Sequence, residues 1–190
     1  LPQLGVADTE LPEKLELLWR HEAGEMVTAT AAIVSGRVYI GTLKGDLLCL
    51  DLETGNPIWK YRSIESDDPE EFAPGFNAAA TVTDDSVYIG DEDGVFHAIN
   101  RKDGSGRWKF QTNDQIVGGA AVVGDNVIFG SHDQALYCLK TATGEKVWDV
   151  VTEGPVNCSS AVVGDSTFTT GCDGLLRVID IKTGQENEKL

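Results

Sequence analysis

Several marks of membrane, nucleic-acid-binding and helical proteins are missing from this 190-residue sequence. No uninterrupted apolar run reaches the ~18 residues that a membrane-spanning helix needs, so we expect no membrane span. Bases are scarce, because 15 Lys and Arg stand against 31 Asp and Glu and give a formal charge of -16. Such a surface repels phosphate groups, so we expect no nucleic-acid partner. The single Met and the 21 Gly favour tight turns over helices and indicate an all-β chain.

Motifs of catalytic, metal and phosphate-binding sites are also missing. The four cysteines lack the C-x-x-C spacing of zinc and redox sites: they are Cys49, Cys138, Cys158 and Cys172. The sequence does not decide whether Cys158 and Cys172 form a disulfide. The three histidines share no repeat position and accompany no G-x-S-x-G motif: they are His21, His97 and His132. We therefore predict no catalytic residue, no metal ligand, no cofactor-binding residue and no cofactor.

An internal repeat of ~40 residues organises the chain. Its landmarks are four tryptophans separated by 40, 49 and 40 residues: Trp19, Trp59, Trp108 and Trp148. Each repeat carries two short apolar runs, a turn between them, and a Thr-Gly or Asp-Gly pair before the next landmark. The longest interval contains the acidic stretch 65–71, which predicts a solvated loop. That loop is either a spacer or a partner-binding segment.

The runs within each repeat predict a four-stranded antiparallel meander, because they are rich in β-formers and are bounded by Gly and Asp. Stretches such as 87–89 and 120–123 are apolar on both faces. A sheet that is apolar on both faces must lie between two other sheets. Four-stranded sheets stacked face to face are the blades of a β-propeller. We therefore predict an all-β propeller with about four blades.

The end of each repeat resembles the A-x-D-x-x-T-G-x-x-x-W motif of the PQQ-type propellers, also called quinoprotein alcohol dehydrogenase-like. The copies cover residues 49–59, 98–108, 138–148 and 178–188. Four departures are plain: Asn100 and Asp103 replace the Asp and the Thr in the second copy, Lys140 replaces the Asp in the third, and Glu188 replaces the Trp in the fourth. The resemblance covers about residues 15–190.

This resemblance implies structural roles for the motif residues, because in the family the outer-strand Trp docks against the neighbouring blade. The implied docking tryptophans are Trp19, Trp59, Trp108 and Trp148, and the implied docking glycines are Gly55, Gly104, Gly144 and Gly184. Loss of the Trp at Glu188 is expected to weaken the last blade.

The resemblance does not by itself assign a chemistry. The family's dehydrogenases close eight blades around PQQ and Ca²⁺ and typically carry an adjacent Cys-Cys pair, which this sequence lacks. The family also includes non-enzymatic periplasmic scaffold lipoproteins of outer-membrane protein assembly. Fold alone therefore leaves the function open.

We predict an N-terminal tail at 1–14 and one propeller arc at 15–190. The expected blade cores are about 27–61, 77–110, 117–150 and 156–190, with an additional N-terminal outer strand at 16–22. Small residues on the inner strands, such as Gly118 and Gly119, leave room either for a ligand on the axis or for tight packing of the hub.

Two closures of the arc are possible. The 16–22 strand can complete the fourth blade of a closed four-bladed ring. Alternatively, the four blades form half of an eight-bladed ring that a second copy or a longer chain completes. We favour the half ring, because an isolated arc exposes two apolar faces, and two arcs about a two-fold axis cover both of them.

The sequence thus favours a non-catalytic propeller that serves as a scaffold or recognition module for protein or ligand binding. The alternative is a fragment or degenerate relative of a PQQ-dependent dehydrogenase, an oxidoreductase; a sensor domain of a larger protein is a third possibility. Expected partners are another protein or a second copy, in a homodimer or as part of a longer propeller. The resemblance implies a periplasmic or secreted location.

Overall fold

The computed structural model describes residues 13–66, 68 and 70–190, and all regular structure there is β. The first sheet contains β1 (Ala32–Val34), β2 (Arg37–Gly41), β3 (Asp46–Asp51) and β4 (Pro57–Arg62). The second contains β5 (Thr81–Val82), β6 (Ser86–Gly90), β7 (Val95–Asn100) and β8 (Gly106–Gln111). The third contains β9 (Ala121–Val123), β10 (Asn126–Ser131), β11 (Ala135–Lys140) and β12 (Lys146–Val151). The fourth contains β13 (Ala161–Val163), β14 (Ser166–Thr170), β15 (Leu176–Asp180) and β16 (Glu186–Lys189).

The strands of each sheet follow one another in chain order, and neighbouring strands are antiparallel. Each sheet is therefore a four-stranded meander, which confirms the predicted all-β propeller fold with about four blades. We call the sheets blades 1 to 4 in chain order. No helix in the described part of the chain is long and apolar enough to cross a membrane.

The third strand of blades 1 to 3 packs against a neighbour on each face, because successive side chains point to opposite sides of a strand. On β3, Cys49 packs into the apolar cluster between blades 1 and 2, whereas Leu48 and Leu50 contact the N-terminal segment. On β11, Cys138 faces blade 4 and Leu139 faces blade 2. Each of these sheets is thus buried on both sides, as the two-sided apolar runs predicted.

A tryptophan lies over a turn glycine at each junction between blades. The Nε1–H of Trp59 donates to the carbonyl oxygen of Arg101 at 3.0 Å, and a Cβ on Gly104 would lie 2.8 Å from the Trp59 ring. Gly104 also has a φ of 77°, a left-handed conformation that suits glycine. The same arrangement joins Trp19 to Gly55, Trp108 to Gly144 and Trp148 to Gly184. We propose that these contacts hold adjacent blades together.

The motif aspartate closes the turn that carries this glycine. In blade 1, Asp51 Oδ1 accepts hydrogen bonds from the backbone N–H and the hydroxyl of Thr54, both at 2.8 Å. These hydrogen bonds hold the pKa of Asp51 below its ordinary value. Asp180 and Thr183 repeat this arrangement in blade 4. The D-x-x-T-G spacing is therefore a turn geometry, with the carboxylate satisfying the turn's backbone donors.

The predicted N-terminal outer strand at 16–22 is not formed, so that expectation was wrong. Leu17 and Leu18 are 77% and 82% exposed, and no described strand pairs with this segment. A strand needs hydrogen-bonded neighbours to persist. Trp19 is nevertheless fixed on blade 1, since its Nε1–H donates to the carbonyl oxygen of Leu52 at 2.8 Å. The predicted tail at 1–14 lies almost wholly outside the described residues.

Blade 4 presents an open face. Ala161, Phe168, Val178 and Glu188 lie in register across the four strands, at the positions that in blades 1 to 3 face the next sheet. Phe168 and Val178 are half-buried and belong to none of the apolar clusters between the described blades. Glu188 occupies the position of the docking tryptophan and leaves that position without a large apolar ring.

Replacing Trp148 by Ala tests the proposed docking contacts. Trp148 is 8% exposed, and its Nε1–H donates to the carbonyl oxygen of Ile181 at 2.8 Å. Because truncation removes a large buried ring, we expect Trp148→Ala to lower the free energy of unfolding by about 3–5 kcal/mol. Urea unfolding followed by circular dichroism measures this loss. The control Val147→Ala, at a neighbouring exposed side chain, is expected to change it by about 0.5 kcal/mol or less, and equal losses would contradict the docking role.

Candidate functional site

The insertion between blades 1 and 2 forms a long loop, here called the acidic loop (residues 64–72). Backbone hydrogen bonds fix both flanks of this loop: Ser63 N–H donates to the carbonyl oxygen of Gly45 at 2.9 Å, and Phe76 N–H donates to that of Thr42 at 2.9 Å. Phe76 is fully buried. Residues 67 and 69 of the predicted 65–71 loop lie outside the described residues. The acidic loop is therefore presented from two anchored ends.

Residues 68 and 70, in the middle of the acidic loop, are exposed. The guanidinium of Arg62 donates to the carbonyl oxygen of Glu71 at 2.6 Å, and Ser66 donates its hydroxyl hydrogen to the Glu71 carboxylate. Phe72 is 75% exposed at the end of the loop. An exposed aromatic ring beside several carboxylates is a combination that suits contact with another protein.

A cleft of about 700 Å³ separates the acidic loop from the outer strands of blades 1 and 2. Its lining combines apolar, cationic and acidic groups: Lys60, Tyr61, Arg62, Ile64, Glu65, Ser66, Gly106 and Lys109. All three cations already have partners: Lys109 Nζ donates to the carbonyl oxygen of Ser63 at 2.9 Å, Arg62 donates to that of Glu71, and Lys60 Nζ lies 3.4 Å from Asp46 Oδ2. The mixed lining suits the side chains of a polypeptide better than a single anionic group.

A buried hydrogen-bonded chain lies beneath this cleft. The Tyr61 hydroxyl lies 2.9 Å from His97 Nδ1, and His97 Nε2 lies 2.8 Å from Asp91 Oδ2. His97 and Asp91 are 0% and 1% exposed. Asp91 also accepts the backbone N–H groups of Asp93 and Val95 at 3.0 and 2.8 Å. Because Tyr61 also lines the cleft, the chain connects its wall to the interior of the blade interface.

Burial lowers the pKa of His97 and outweighs the opposing effect of the Asp91 carboxylate, while the Lys109 charge acts with burial. The neutral imidazole then donates from Nε2 to Asp91 and accepts the Tyr61 hydroxyl hydrogen at Nδ1. Burial, with the Asp91 charge, raises the pKa of Tyr61. These hydrogen bonds therefore link Tyr61 of blade 1 to His97 and Asp91 of blade 2.

The repeat position of His97, on the third strand of each blade, is polar in three of the four blades. It holds Leu48 in blade 1 and His97, Tyr137 and Arg177 in blades 2 to 4. The Tyr137 hydroxyl donates to Asp133 at 2.7 Å, and Arg177 Nη2 lies 2.7 Å from Asp173. Beside Arg177, the pKa of Asp173 falls to about 2. We did not predict this position from the sequence, although an aspartate four or six residues earlier marks each polar case.

The candidate residues singled out in the sequence do not converge on one site. Cys49 and Cys138 are fully buried in blade interfaces, and burial raises the pKa of Cys138 to about 11. All four thiols are free, so the disulfide left open between Cys158 and Cys172 is not formed.

The hub around the axis is tightly packed at one of its glycine positions. A Cβ on Gly118 would lie 2.7 Å from the carbonyl oxygen of Cys158, and Gly119 N–H donates to the Ser159 hydroxyl at 3.0 Å. The described residues contain no group of three or more His, Cys, Asp or Glu placed to hold a metal ion. These residues do not fit PQQ with its Ca²⁺ ion.

Sequential four-stranded meanders joined by Trp-on-Gly contacts define a PQQ-type β-propeller. The family model described as outer membrane protein assembly factor BamB matches residues 14–118 and 107–187, and the chain belongs to this family. A curated relative, outer membrane protein assembly factor BamB of Xanthomonas campestris pv. campestris, is 27% identical over 110 residues. That match covers 55% of this chain and 27% of the relative.

Solved structures share the fold. BamB from Moraxella catarrhalis superposes with a TM-score of 0.75 at 22% identity over 90% of this chain and 55% of that one. The computationally designed Ika4 protein gives 0.73 at 19% identity, over 88% and 99%. Quinohemoprotein alcohol dehydrogenase from Comamonas testosteroni gives 0.68 at 17% identity, over 87% and 35%. The chain thus spans about a quarter of the curated relative and about half of the Moraxella structure.

The buried imidazole predicts a pH-dependent stability. Because the pKa of His97 is lower in the folded chain, its contribution is complete above about pH 6.5 and is lost as the pH falls through the folded pKa. His97→Gln keeps a donor for Asp91 but does not titrate. We expect the stability of the wild type relative to this variant to fall by up to about 2 kcal/mol between pH 7.5 and pH 5. Urea unfolding at both pH values measures this change, and a constant difference would contradict a neutral His97.

Proposed function

We propose that this chain is a non-catalytic propeller scaffold in outer-membrane protein assembly, working in the periplasm through protein contacts. The observation that carries the proposal is the family match across nearly the whole chain. The name of the curated relative describes an assembly factor, which supports the same role. The proposed protein-binding surface is the acidic loop with its adjoining cleft.

The geometry of the acidic loop supports a binding role over a catalytic one. Its ends are anchored by backbone hydrogen bonds, whereas Phe72 and several carboxylates face solvent. An anchored loop presents an exposed ring at a low entropic cost on binding. Beneath the loop, Tyr61, His97 and Asp91 hydrogen-bond to one another, and His97 and Asp91 are fully buried.

A PQQ-dependent oxidoreductase is the rival function. Its support is the likeness in fold to the Comamonas dehydrogenase, of which this chain covers 35%. The close approach of backbone at Gly118 and the absence of a metal-ligand cluster in the described segments weigh against it. Adding PQQ and Ca²⁺ and assaying dye-linked alcohol oxidation distinguishes the two functions, since turnover above the blank would contradict a non-catalytic scaffold.

Loop replacement in the encoding gene tests the scaffold function. Exchanging residues 64–72 for a short Gly-Ser linker removes the exposed ring and the carboxylates but keeps both anchored flanks. We expect this exchange and a deletion of the gene to lower the abundance of outer-membrane proteins alike, measured by quantitative mass spectrometry of outer membranes. The control Val163→Ser alters a 68% exposed side chain on blade 4 and is expected to leave that abundance unchanged. Full activity of the loop-replaced protein would contradict the proposed surface.

We further propose that the 190-residue chain pairs through its open faces. The blade 4 face lacks a neighbouring sheet, and the segment around Trp19 lacks a strand beside it in the described structure. These two features are complementary, because the segment carries the tryptophan that blade 4 lacks at Glu188. In a two-fold arrangement, a second copy can cover the open face of blade 4 and place a blade beside the Trp19 segment.

Light scattering tests this pairing. We expect about twice 20.4 kDa at micromolar concentration. Phe168→Asp places a charge on the blade 4 face and is expected to give the monomer mass. The control Val151→Asp, at a 76% exposed side chain of blade 3, is expected to keep the doubled mass. A wild-type monomer that binds no hydrophobic dye would contradict the half ring and favour the closed four-bladed ring.

A further inference from the structure

A second cleft, of about 610 Å³, lies between blades 1 and 2 on the rim opposite the acidic loop. We call it the arginine cleft, and its lining residues are Ser35, Arg37, Asp84, Asp85, Asn100, Arg101, Lys102 and Arg107. They come from the turns between the first and second strands and between the third and fourth strands of the blades, and from the strand ends beside them. The chain has six arginines, and three of them meet here.

The blade architecture does not require these arginines. The position of Arg37, at the start of the second strand, holds Ser86, Asn126 and Ser166 in the other blades. The position of Arg101 holds Leu52, Thr141 and Ile181 in the other blades. The backbone carbonyl at this position accepts the Trp Nε1–H in all four blades, so that role does not depend on the side chain. The position of Arg107, before the outer-strand Trp, holds Ile58, Val147 and Asn187. Each position is basic only at this cleft.

Neutral acceptors fix the guanidinium groups in place. Arg37 Nη1 donates to the carbonyl oxygen of Arg101 at 2.9 Å. Arg101 Nε donates to the Tyr39 hydroxyl at 3.0 Å, and its Nη1 donates to the carbonyl oxygen of Thr83 at 3.1 Å. Neither arginine donates through Nη2 to any described residue. Two oriented guanidinium edges therefore remain available, and preorganised donors strengthen binding because little side-chain freedom is lost.

The charge of the cleft is only partly neutralised. Its lining holds four bases and two acids, in a chain where acids outnumber bases by 31 to 15. Arg107 has a close partner, Asp85, at 2.9 Å. Arg101 reaches only the fully exposed Asp84, at 3.9 Å. Among the described residues, no carboxylate lies within 4.0 Å of Arg37, so the positive charge centred on Arg37 and Arg101 lacks a close counterion.

We propose that the arginine cleft binds a carboxylate group of an acidic polypeptide segment, with Arg37 and Arg101 as the principal ligands and Arg107 at the edge. A planar carboxylate accepts two parallel N–H groups from a guanidinium, which gives a directed, charge-assisted contact. Asp84 and Asp85 border the cleft and repel a second negative charge, so a singly charged carboxylate fits better than a phosphate dianion. That the carboxylate belongs to a protein rests on the proposed scaffold function.

The arginine side chains provide a direct test without any variant. The ¹H–¹⁵N spectrum of the Nε–H groups has one signal for each of the six arginines, and Arg20, Arg62 and Arg177 lie outside the cleft and serve as internal references. The probe is the peptide Gly-Gly-Glu-Glu, and its matched control is the amidated peptide Gly-Gly-Gln-Gln. We expect the acidic probe alone to shift the Arg37 and Arg101 signals, with one dissociation constant. Equal shifts of all six signals, or no shift, would overturn the proposal.

Arg37→Ser and Arg20→Ser form a matched pair, because each removes one positive charge and Arg20 is exposed on the N-terminal segment. Ser stands at the Arg37 position in two other blades, so Arg37→Ser is compatible with the blade. We expect it to weaken binding of the acidic peptide at least fivefold, and Arg20→Ser to change it less than twofold. Equal effects would overturn the assignment.

Inorganic phosphate is the third probe. If it binds the same three arginines more tightly than the acidic peptide does, the cleft is a phosphate site and the carboxylate assignment is wrong. The peptide titration involves no cellular partner, so its failure would not contradict the scaffold function. The outer-membrane protein measurements test that function separately. A failure of those measurements would likewise leave the carboxylate chemistry of the cleft standing.

Discussion

Burial of both faces of a blade is the constraint on which this structure depends, and among the described residues blade 4 meets it on one face only. Cys49 and Leu48 are neighbours on one strand, yet they pack against opposite sides of blade 1. No blade can bury both faces alone, so stability comes from the interfaces and each blade needs two neighbours. A buried Trp removes about 150–250 Å² from water, so the proposed docking of Trp on Gly would contribute strongly to stability at each interface. The glycine opposite the Trp does not tolerate substitution, because its positive φ and the close approach of the ring both exclude a side chain.

The interfaces tolerate polar residues only where a partner is supplied. One position holds Leu48 in blade 1, whereas His97, Tyr137 and Arg177 occupy it elsewhere, each with an aspartate at 2.7–2.8 Å. A buried polar group without such a partner costs about 1–3 kcal/mol, so the aspartate and its partner must be present together. Our proposed binding surfaces therefore lie on the rims, where turns and loops can change without loss of packing.

The repeat could be predicted from the sequence because its signals are local and recur. The tryptophan spacing, the turn glycines and the two-sided apolar runs all report nearest-neighbour packing, and they yielded the propeller and its blades. The contacts missed were those between distant residues: Tyr61 meets His97 across 36 positions, and Arg37 meets Arg101 across 64. The strand expected at 16–22 failed for a related reason, because a strand is a property of a pair and its partner was not visible in the local pattern.

The acidic loop and the arginine cleft both depart from the repeat, and both lie at the junction between blades 1 and 2. The acidic loop with exposed Phe72 lies on one rim of the junction between blades 1 and 2, and the arginine cleft lies on the other. Beneath the loop, that junction also holds the Tyr61–His97–Asp91 chain, whereas the junction between blades 2 and 3 is filled largely by stacked aromatic rings. A rigid junction gives loops on opposite rims a fixed separation, which a scaffold needs if it is to hold two segments of partner protein at once. In the proposed scaffold function, opposite charge on the two rims would favour partner segments of opposite sign and thereby a single orientation of the partner.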